Sequence, residues 1–336
     1  MNVNPPIPPT EIQAPTRWWH RWFRTPGELR ALGVIGINMR NGRFLLPNNP
    51  RRFFDRVDNK IHTKELAVAN ELSVPATYAI LDSPHDAGKL PKLLADHPSF
   101  VIKPARGSGG KGVLVIDGQK NGHYIKPSGV ALTATDVRNH VSNILAGLFS
   151  LGGQRDRALV EQRIRPARLL TDISYQGAPD IRIVLLHGYP VMAMLRAATH
   201  ESDGRANLHQ GAIGIGIDLA SGVTFRAIHH GRTITRHPDI PIDLLGIQIP
   251  HWPQILEIAV VCQEMTELGY LGVDVMIDET AGPVMIEVNA RPGLAIQMAN
   301  GIGLLKRLAP VARHHERHPG ATAEEKIEFA LKSFAI

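Results

Sequence analysis

One stretch of the sequence, residues 272–293, predicts two apolar strands joined by a short turn, with oxygen-bearing side chains on one face. It reads GVDVMIDETAGPVMIEVNARPG. Asp274 lies on the first strand, while Glu287 and Asn289 are two positions apart on the second and so point to the same face. The strand neighbours of Glu287 are apolar, and an unpaired carboxylate among them would be costly. We therefore expect these side chains to converge on a ligand.

The three side chains suit a hard divalent cation. Two carboxylates and one carboxamide are ligands that Mg²⁺ accepts, together with waters and substrate phosphates, whereas zinc sites usually contain Cys or His. Glu287 is placed to bridge two ions. The alternative is a hairpin whose polar residues simply face water.

A second constraint is a glycine-rich turn between two predicted strands, SFVIKP (99–104) and VLVI (113–116). Glycines there allow backbone N–H groups to approach phosphate oxygens closely. The turn differs from a P-loop and from a Rossmann fingerprint, because it leads into a strand rather than a helix. It predicts a flap that folds over a triphosphate, with Lys103 reaching inward from the first strand; a flexible hairpin tip is the alternative. The flap residues are Gly107, Ser108, Gly109, Gly110, Lys111 and Gly112.

The rest of the chain alternates between helical and strand patterns. We predict a helix after residue 58, helices at 134–151 and 253–268, strands at TYAIL and ALVEQRI, two strands joined at His187-Gly188-Tyr189-Pro190, and a terminal helix opened by a Thr322–Glu325 capping box. Residues 17–33 predict an aromatic helix with interleaved arginines, which either packs on the body of the protein or docks on a membrane or a partner. Mixed helices and antiparallel hairpins indicate an α+β protein in several lobes.

Composition narrows the class of protein. The chain has 336 residues, a formal net charge of +6 and a single cysteine, Cys262, inside an apolar helical segment. One cysteine forms no intrachain disulfide and suits a reducing compartment, and the N-terminus has no secretory signal pattern, so we expect a cytoplasmic protein. A basic pI of about 9.5 is compatible with nucleic acid, but basic and aromatic residues do not form a stacking platform beyond residue 30, so no nucleic-acid partner is expected.

The order of these features resembles that of ATP-grasp enzymes. Lys60, Lys103 with its glycine flap, Glu161, the Asp180–Arg182 pair and the acidic hairpin follow one another as they do there. The chain is similar to RimK-type alpha-L-glutamate ligases, and more closely to the RimK-related, sugar-transfer-associated ATP-grasp group, over residues 58 to 305. The resemblance implies an ATP-grasp fold, in which two α+β lobes clasp ATP. It also implies an ATP-dependent carboxylate-amine ligase that works through an acyl-phosphate, with glutamate or a similar amino acid as one substrate.

Site residues follow from the same resemblance. Lys60, Lys103, the flap, Glu161, Gln162, Asp180 and Asn207 are expected to bind ATP. Asp274, Glu287 and Asn289 are expected to bind two Mg²⁺ ions, for which Mn²⁺ can substitute. Arg182, Arg196 and Arg291 are expected to support the acyl-phosphate or a substrate carboxylate. The implied partners are the carboxylate and amine substrates, among them a peptide or protein acceptor.

The chain departs from the family at its N-terminus, where a short segment stands in place of a full α/β lobe. We therefore predict the divisions 1–58 (arm and aromatic helix), 59–98 (reduced N-terminal part), 99–163 (central lobe with the flap), 164–305 (C-terminal lobe with the metal site) and 306–336 (helical tail). The competing hypothesis is an ATP-binding scaffold or regulatory protein that acts at a membrane or a partner complex. The sequence leaves the oligomeric state open.

Overall fold

A computed structural model describes residues 25–107 and 109–336. The strands are β1 (Thr77–Leu81), β2 (Phe100–Pro104), β3 (Leu114–Ile116), β4 (Gly118–Lys120), β5 (His123–Ile125), β6 (Ala131–Leu132), β7 (Ala158–Gln162), β8 (Asp180–Leu186), β9 (Tyr189–Ala197), β10 (Ile213–Ile217), β11 (Thr224–His229), β12 (Arg232–Ile234), β13 (Tyr270–Asp278) and β14 (Gly282–Asn289). The α-helices are α1 (Pro26–Ala31), α2 (Ile37–Met39), α3 (Leu46–Asn48), α4 (Asp55–Asp58), α5 (Lys60–Ala69), α6 (Pro84–Gly88), α7 (Leu90–Leu93), α8 (Ala134–Leu145), α9 (Arg168–Thr171), α10 (Trp252–Thr266), α11 (Ile296–Asn300), α12 (Leu305–Arg317) and α13 (Ala323–Phe334). Short π- and 3-10-helical pieces are Arg40–Leu45, Arg51–Phe53, Leu151–Gly153 and Leu208–Gln210.

The larger lobe is built on an antiparallel sheet of seven strands in the order β12-β11-β10-β9-β8-β13-β14. Its central strands carry long apolar runs, and residues such as Ile183, Leu195 and Val273 have no exposed surface. Helices α10 to α13 pack against these strands. Burial of this kind contributes roughly 25 cal/mol per Å² of apolar surface, so the sheet provides a rigid support for the polar side chains that it carries.

The smaller lobe has a four-stranded antiparallel sheet in the order β1-β7-β2-β3, and a third sheet, β4-β5-β6, lies beside it in the chain. Phe100, Ile102 and Val160 form its core with α8 residues Val141 and Ile144. The predicted glycine-rich hairpin is confirmed, since β2 and β3 pair with Phe100 opposite Ile116. The chain is thus an α+β protein with two sheet-based lobes, as expected.

Several smaller predictions are confirmed, and one turn is tighter than expected. The Thr322–Glu325 capping box opens α13, and Cys262 is a buried residue of α10 whose thiol pKa is raised by burial. The β8–β9 turn contains only His187 and Gly188, because Leu186 already pairs with Tyr189. Both turn residues have positive φ, which is the requirement of a two-residue hairpin. Within the described part of the chain, no helix combines the length and apolar character needed to cross a membrane.

Residues 25–58, which we call the strap, lie against the larger lobe. The tryptophans of the predicted aromatic helix and the arm before them fall outside the described residues; α1 begins at Pro26 after a Thr25–Glu28 capping box. The Gln297 side chain binds both the N–H and the C=O of Ile35, at 2.9 and 3.0 Å. Further along, the side chain of Asn49 binds both the N–H and the C=O of Tyr270. The strap is therefore held at several points by buried hydrogen bonds.

The strap and the lobe approach each other closely at two glycines, Gly33 and Gly303. A Cβ added to Gly303 would lie 1.9 Å from the carbonyl carbon of Gly33 and 2.2 Å from the amide nitrogen of Val34. Because both neighbours are backbone atoms, a rotamer change does not relieve the overlap. The close packing at this point thus requires a residue without a side chain.

We expect Gly303→Ala to destabilise the protein by about 2 kcal/mol or more, since overpacking against fixed backbone forces the strap to shift. Denaturant unfolding followed by circular dichroism measures this change. Gly42→Ala is the matched control in the strap itself, because nothing lies within 4 Å of its added Cβ. Equal stability of the two variants would show that the strap does not dock on the lobe in this way.

A stacked histidine pair lies at the β8–β9 turn. The rings of His187 and His315 are 4.0 Å apart and nearly parallel. Burial, with repulsion from His315 and Lys326, lowers the pKa of His187 to about 4. In the unfolded chain the pKa of this histidine returns to about 6.5.

The folded protein should therefore lose stability as the pH falls from about 6.5 to about 4. In this range the unfolded chain binds a proton at His187, whereas the folded chain does not. The loss attributable to His187 is roughly 1 to 3 kcal/mol. His187→Asn should flatten this dependence, and Asn-Gly also suits the turn. Thermal unfolding at several pH values checks the expectation; the same pH dependence in both proteins would assign the effect to other groups.

Candidate active site

A row of charged side chains crosses four neighbouring strands of the larger sheet. Asp274 on β13 is in register with Arg182 on β8 and with Glu287 on β14. Arg196 on β9 is in register with Asp180 on β8. Since residues two apart on a strand share a face, the antiparallel register brings all five side chains to one side of the sheet.

Asp274 is the centre of this row. Both oxygens of its carboxylate accept hydrogen bonds from Arg182. Nε donates to Oδ1 at 2.7 Å, and Nη2 donates to Oδ2 at 2.6 Å. Arg196 donates to the same Oδ2 at 3.0 Å, and the amide nitrogen of Asn289 does so at 3.2 Å. Arg196 also holds Asp180 through both of its oxygens. Two fork-shaped guanidinium groups thus fix the two aspartates in place.

The electrostatics of Asp274 follow from this setting. Its side chain is only 3% exposed, and burial raises the pKa of the carboxyl, but the positive charges of Arg182 and Arg196 outweigh burial and hold it below the usual value. Burial likewise lowers the pKa of Arg196, and Asp180 and Asp274 reverse that shift upward. Burial raises the pKa of the neighbouring Asp180, so the two aspartates of the row differ in the direction of their pKa shifts.

A second group of charges faces the row from the smaller lobe and α5. Glu161 on β7 is bound by Lys103 at 2.5 Å and by Lys64 at 2.6 Å. Lys60, the first residue of α5, lies 3.1 Å from Glu287 and donates to the Gly107 carbonyl at 2.7 Å. Burial raises the pKa of Glu161, and the two lysines overcome it and lower the pKa. Lys60 thus connects the row, the flap and the smaller lobe.

Between the two groups lies a cleft. Its lining residues come from α5, β2, β7, β14 and the loop before β1, and they are Lys60, Thr63, Lys64, Val74, Lys103, Leu159, Met285, Ile286, Glu287 and Val288. The lining thus combines apolar side chains with Thr63, three lysines and one carboxylate.

The flap begins next to Lys60, which donates to the Gly107 carbonyl. Gly109, Gly110 and Gly112 have φ of 64°, 74° and 75°, a region that side chains other than glycine avoid. A Cβ on Gly112 would also meet the Phe149 ring at 2.6 Å. Lys111 is exposed at the tip, and Ser108 lies outside the described residues. The glycines are therefore required by the backbone path of the turn.

Three predicted site residues lie apart from the row. Gln162 is exposed on the face of β7 opposite Glu161, and its side chain accepts from the Ala76 amide. Asn207 caps the 3-10 turn Leu208–Gln210 through the His209 amide. Arg291 lies 4.6 Å from the ring of Phe54 and 3.6 Å from Asp58, both in the strap. Sequence spacing alone does not fix the direction in which these side chains point.

Two residues that hold the site were missed by the sequence analysis. Lys64 lies one helical turn after Lys60 and pairs with Glu161; the i, i+4 spacing on α5 was the signal. Asp156 accepts from the backbone of Arg106 at 2.9 Å and from Ser150 Oγ at 2.6 Å, and so fixes the base of the flap. No short motif marks Asp156, because its partners are distant in sequence.

The donor chemistry of Asp274, Glu287 and Asn289 fits a magnesium ion, since all three offer oxygen. Asn289 directs its amide nitrogen at Asp274, so its carboxamide oxygen points elsewhere, as a metal ligand requires. Glu287 is 30% exposed on its side chain and faces the cleft. Asp274, already bound by two arginines, has fewer lone pairs to offer than the other two.

Comparison with known proteins identifies the class. A family model described as sugar-transfer associated ATP-grasp matches residues 39–313, and the chain belongs to this family. It is an enzyme of the ATP-grasp ligase class, whose members generally use ATP and a divalent metal.

Individual relatives are distant. A probable alpha-L-glutamate ligase of Thioalkalivibrio sulfidiphilus (strain HL-EbGR7) is 23% identical over 290 residues, which cover 86% of this chain and 71% of the relative. A ribosomal protein bS6–L-glutamate ligase of Escherichia coli O81 (strain ED1a) is 25% identical, with coverage of 83% and 69%. Among solved structures, the ATP-grasp ligase PsnB with a minimal precursor matches with a TM-score of 0.46 and 11% identity, covering 80% of this chain and 63% of PsnB. The D-alanine-D-alanine ligase of Coxiella burnetii matches with a TM-score of 0.46 and 18% identity, covering 81% of this chain and 62% of that one.

Proposed function

We propose that the protein uses Mg·ATP to activate a carboxylate and joins it to an amine, adding glutamate or a similar amino acid to a peptide, protein or small acceptor. The observation that carries the proposal is the contact between a charged row on the larger sheet and a lysine cluster, made where Lys60 lies 3.1 Å from Glu287. Arg182, Arg196, Asp274 and Glu287 lie on the sheet side, and a lysine cluster lies on the other.

In this proposal the nucleotide lies in the cleft with its phosphates toward the lysines and the flap. Lys60 and Lys103 bind phosphate oxygens. Glu161 forms ion pairs with Lys64 and Lys103 and so sets the positions of these two lysines. The glycines of the flap bring backbone N–H groups to the phosphates. Asp180, bound to Arg196, completes the nucleotide side.

Asp274, Glu287 and Asn289 are the proposed ligands of two divalent ions, with Mn²⁺ able to replace Mg²⁺. Such ions neutralise the phosphate charge during transfer. Arg182 and Arg196 lie next to these ligands and stabilise negative charge that develops on the reacting groups. Positioned charges of this kind supply most of what phosphoryl transfer needs from a protein.

The chemistry proceeds in two steps. A substrate carboxylate oxygen attacks the γ-phosphorus of ATP, so that an acyl-phosphate forms and ADP leaves. The amine nitrogen then attacks the acyl carbon, the carbon–oxygen bond to phosphate breaks, and an amide, phosphate and one released proton are the products. A cleft walled by apolar side chains limits the competing attack by water.

The substrate class is suggested by Arg291 and by the relatives. Arg291, above the Phe54 ring and near Asp58, is a half-exposed cation at the edge of the site, and an arginine there suits a free carboxylate such as that of glutamate. The names of the bS6–L-glutamate ligase and the alpha-L-glutamate ligase support the same amino acid. Peptide or protein acceptors are proposed on the same grounds, in a reducing cytoplasm that suits the single cysteine.

The experiment is phosphate release from Mg·ATP by the purified protein, with pools of amino acids crossed against carboxylate acceptors and peptides. We expect release only when both substrates are present, and loss of release in Lys103→Ala. Lys89→Ala is the matched control, because Lys89 is an exposed lysine paired with Asp86 away from the cleft. Release that needs no amine, or that survives in Lys103→Ala, would contradict ligase chemistry at this site.

A further inference from the structure

Three metal-ligating side chains converge on the larger lobe away from the charged row. Glu201 lies on the loop after β9, His229 ends β11, and His230 is in the β11–β12 turn. Their donor atoms all lie within 4.8 Å of one another. The Nε2 atom of His230 is 2.6 Å from Oε2 of Glu201, and the Nε2 atom of His229 is 3.9 Å from the same oxygen.

The backbone holds these side chains at fixed positions. His229 pairs with Arg232 across a two-residue turn, and His230 and Gly231 in that turn have φ of 50° and 72°. On the other side, a Cβ on Gly211 would lie 2.8 Å from Cδ of Glu201, so the glycine leaves room for the carboxylate. The Gly211 carbonyl accepts a hydrogen bond from Thr199 Oγ1 at 2.8 Å and is within hydrogen-bond distance of His229 Nε2 at 3.0 Å.

We propose that Glu201, His229 and His230 bind a divalent transition metal ion, with zinc as the best match. Two imidazoles and one carboxylate are the donor set of many zinc sites, and they leave a fourth position for water. Metal–ligand bonds of about 2.0–2.2 Å separate tetrahedral donors by roughly 3.3–3.5 Å. The two histidine–carboxylate separations, 2.6 and 3.9 Å, lie on either side of that value, and all donor atoms lie within 4.8 Å of one another, so small side-chain shifts bring the donors to metal-binding distances.

The site differs from the proposed magnesium site in chemistry and in place. The charged row offers oxygen alone and lies on β8, β9, β13 and β14, whereas the histidines lie on β11 and its turn, with β10 between β11 and β9. A borderline metal prefers imidazole nitrogen, and Mg²⁺ prefers oxygen. The two sites should therefore fill independently in a mixture of both ions.

Metal binding at this place would act on a particular loop. Glu201 and Gly211 flank the turn that contains Asn207, and His229 must exchange its hydrogen bond to the Gly211 carbonyl for the metal. The ion would tie the 199–211 loop to the β11–β12 hairpin through Glu201. A bound ligand stabilises the state that binds it, so zinc should raise the unfolding temperature of the protein.

The test uses the full chain without a polyhistidine tag, stripped of metal and kept in excess Mg²⁺. Calorimetric titration with zinc should give one site per chain, and Co²⁺ in its place should give the absorption of a tetrahedral nitrogen–oxygen site. His230→Asn and Glu201→Gln should each weaken zinc binding at least about 100-fold, since even loss of an outer partner costs 10- to 100-fold. His230→Asn keeps a residue suited to the turn, and circular dichroism verifies its fold.

His209→Asn is the matched control, since it alters a histidine of the same loop outside the three. Zinc binding that is unchanged in His230→Asn and Glu201→Gln, or that is lost in Glu287→Gln instead, would overturn the proposal. The measurement contains no ATP or substrate, so its outcome is independent of the proposed ligase activity.

Discussion

Glu287→Gln should lose at least about a thousandfold in ATP-dependent phosphate release, or about 4 kcal/mol of transition-state stabilisation. The substitution keeps the size of the side chain and removes the charge that a divalent ion needs. Glu287 is part-exposed and forms an ion pair with Lys60. In the variant, Lys60 keeps its hydrogen bond to the Gly107 carbonyl. The fold should therefore change little, and unfolding curves of the variant and the parent should nearly coincide.

Glu279→Gln is the control for this variant, because Glu279 lies in the turn of the same hairpin and its carboxylate is 49% exposed. It should retain full activity. A Glu287→Gln protein that is grossly unfolded would instead make Glu287 a structural carboxylate, and one with parental activity would remove it from the metal site.

Asp274→Ala should destabilise the protein by about 3 to 5 kcal/mol in addition to abolishing activity. The reason is that Arg182 and Arg196, only 13% and 12% exposed on their side chains, lose a shared carboxylate, and removal of one partner from a buried ion pair leaves charge without compensation. Guanidinium unfolding measures the change. The two hairpin carboxylates should thus differ in kind, one serving chemistry alone and the other serving chemistry and stability.

Asp274→Asn refines this second prediction. It keeps the shape and one acceptor oxygen, so its stability should fall between those of the parent and Asp274→Ala. The lowered pKa of Asp274 also predicts how stability depends on pH. The stabilisation by this carboxylate is present above the unfolded pKa of about 3.9 and is lost as the pH falls through the lower folded pKa. An Asp274→Ala protein as stable as Glu287→Gln would contradict the proposed role of the carboxylate in compensating the arginines.

The sequence predicts the hairpin that carries Glu287 and Asn289 because alternation and a turn are local signals. The same is true of the glycine flap and of the Thr322–Glu325 cap. The pairing of Asp274 with Arg182 is different, since it depends on β8 lying next to β13, an order of strands that local patterns do not contain. The hairpin pattern predicted Asp274 and the resemblance to a known family supplied Arg182, but neither predicted their mutual contact.

The strap shows more clearly which parts of the fold local sequence patterns do not predict. Its contacts join Ile35 to Gln297 and Asn49 to Tyr270, pairs more than 200 positions apart in the chain. The segment includes a π-helical piece, Arg40–Leu45, which has no simple hydrophobic period. Its path is set by the surface on which it lies, so local sequence patterns do not predict it.

The lysines of the cleft each have a carboxylate neighbour: Glu287 for Lys60, and Glu161 for Lys64 and Lys103. An incoming anion does not meet bare cations there but must compete with these internal carboxylates for them. A small singly charged anion would form too weak an interaction with the lysines to displace these carboxylates. A triphosphate carries several negative charges, and its metal ion would give Glu287 a cation in place of Lys60. If the proposed nucleotide binds here, the cleft would discriminate by exchange of ion-pair partners, and the protein's own carboxylates would set the affinity that a ligand must exceed.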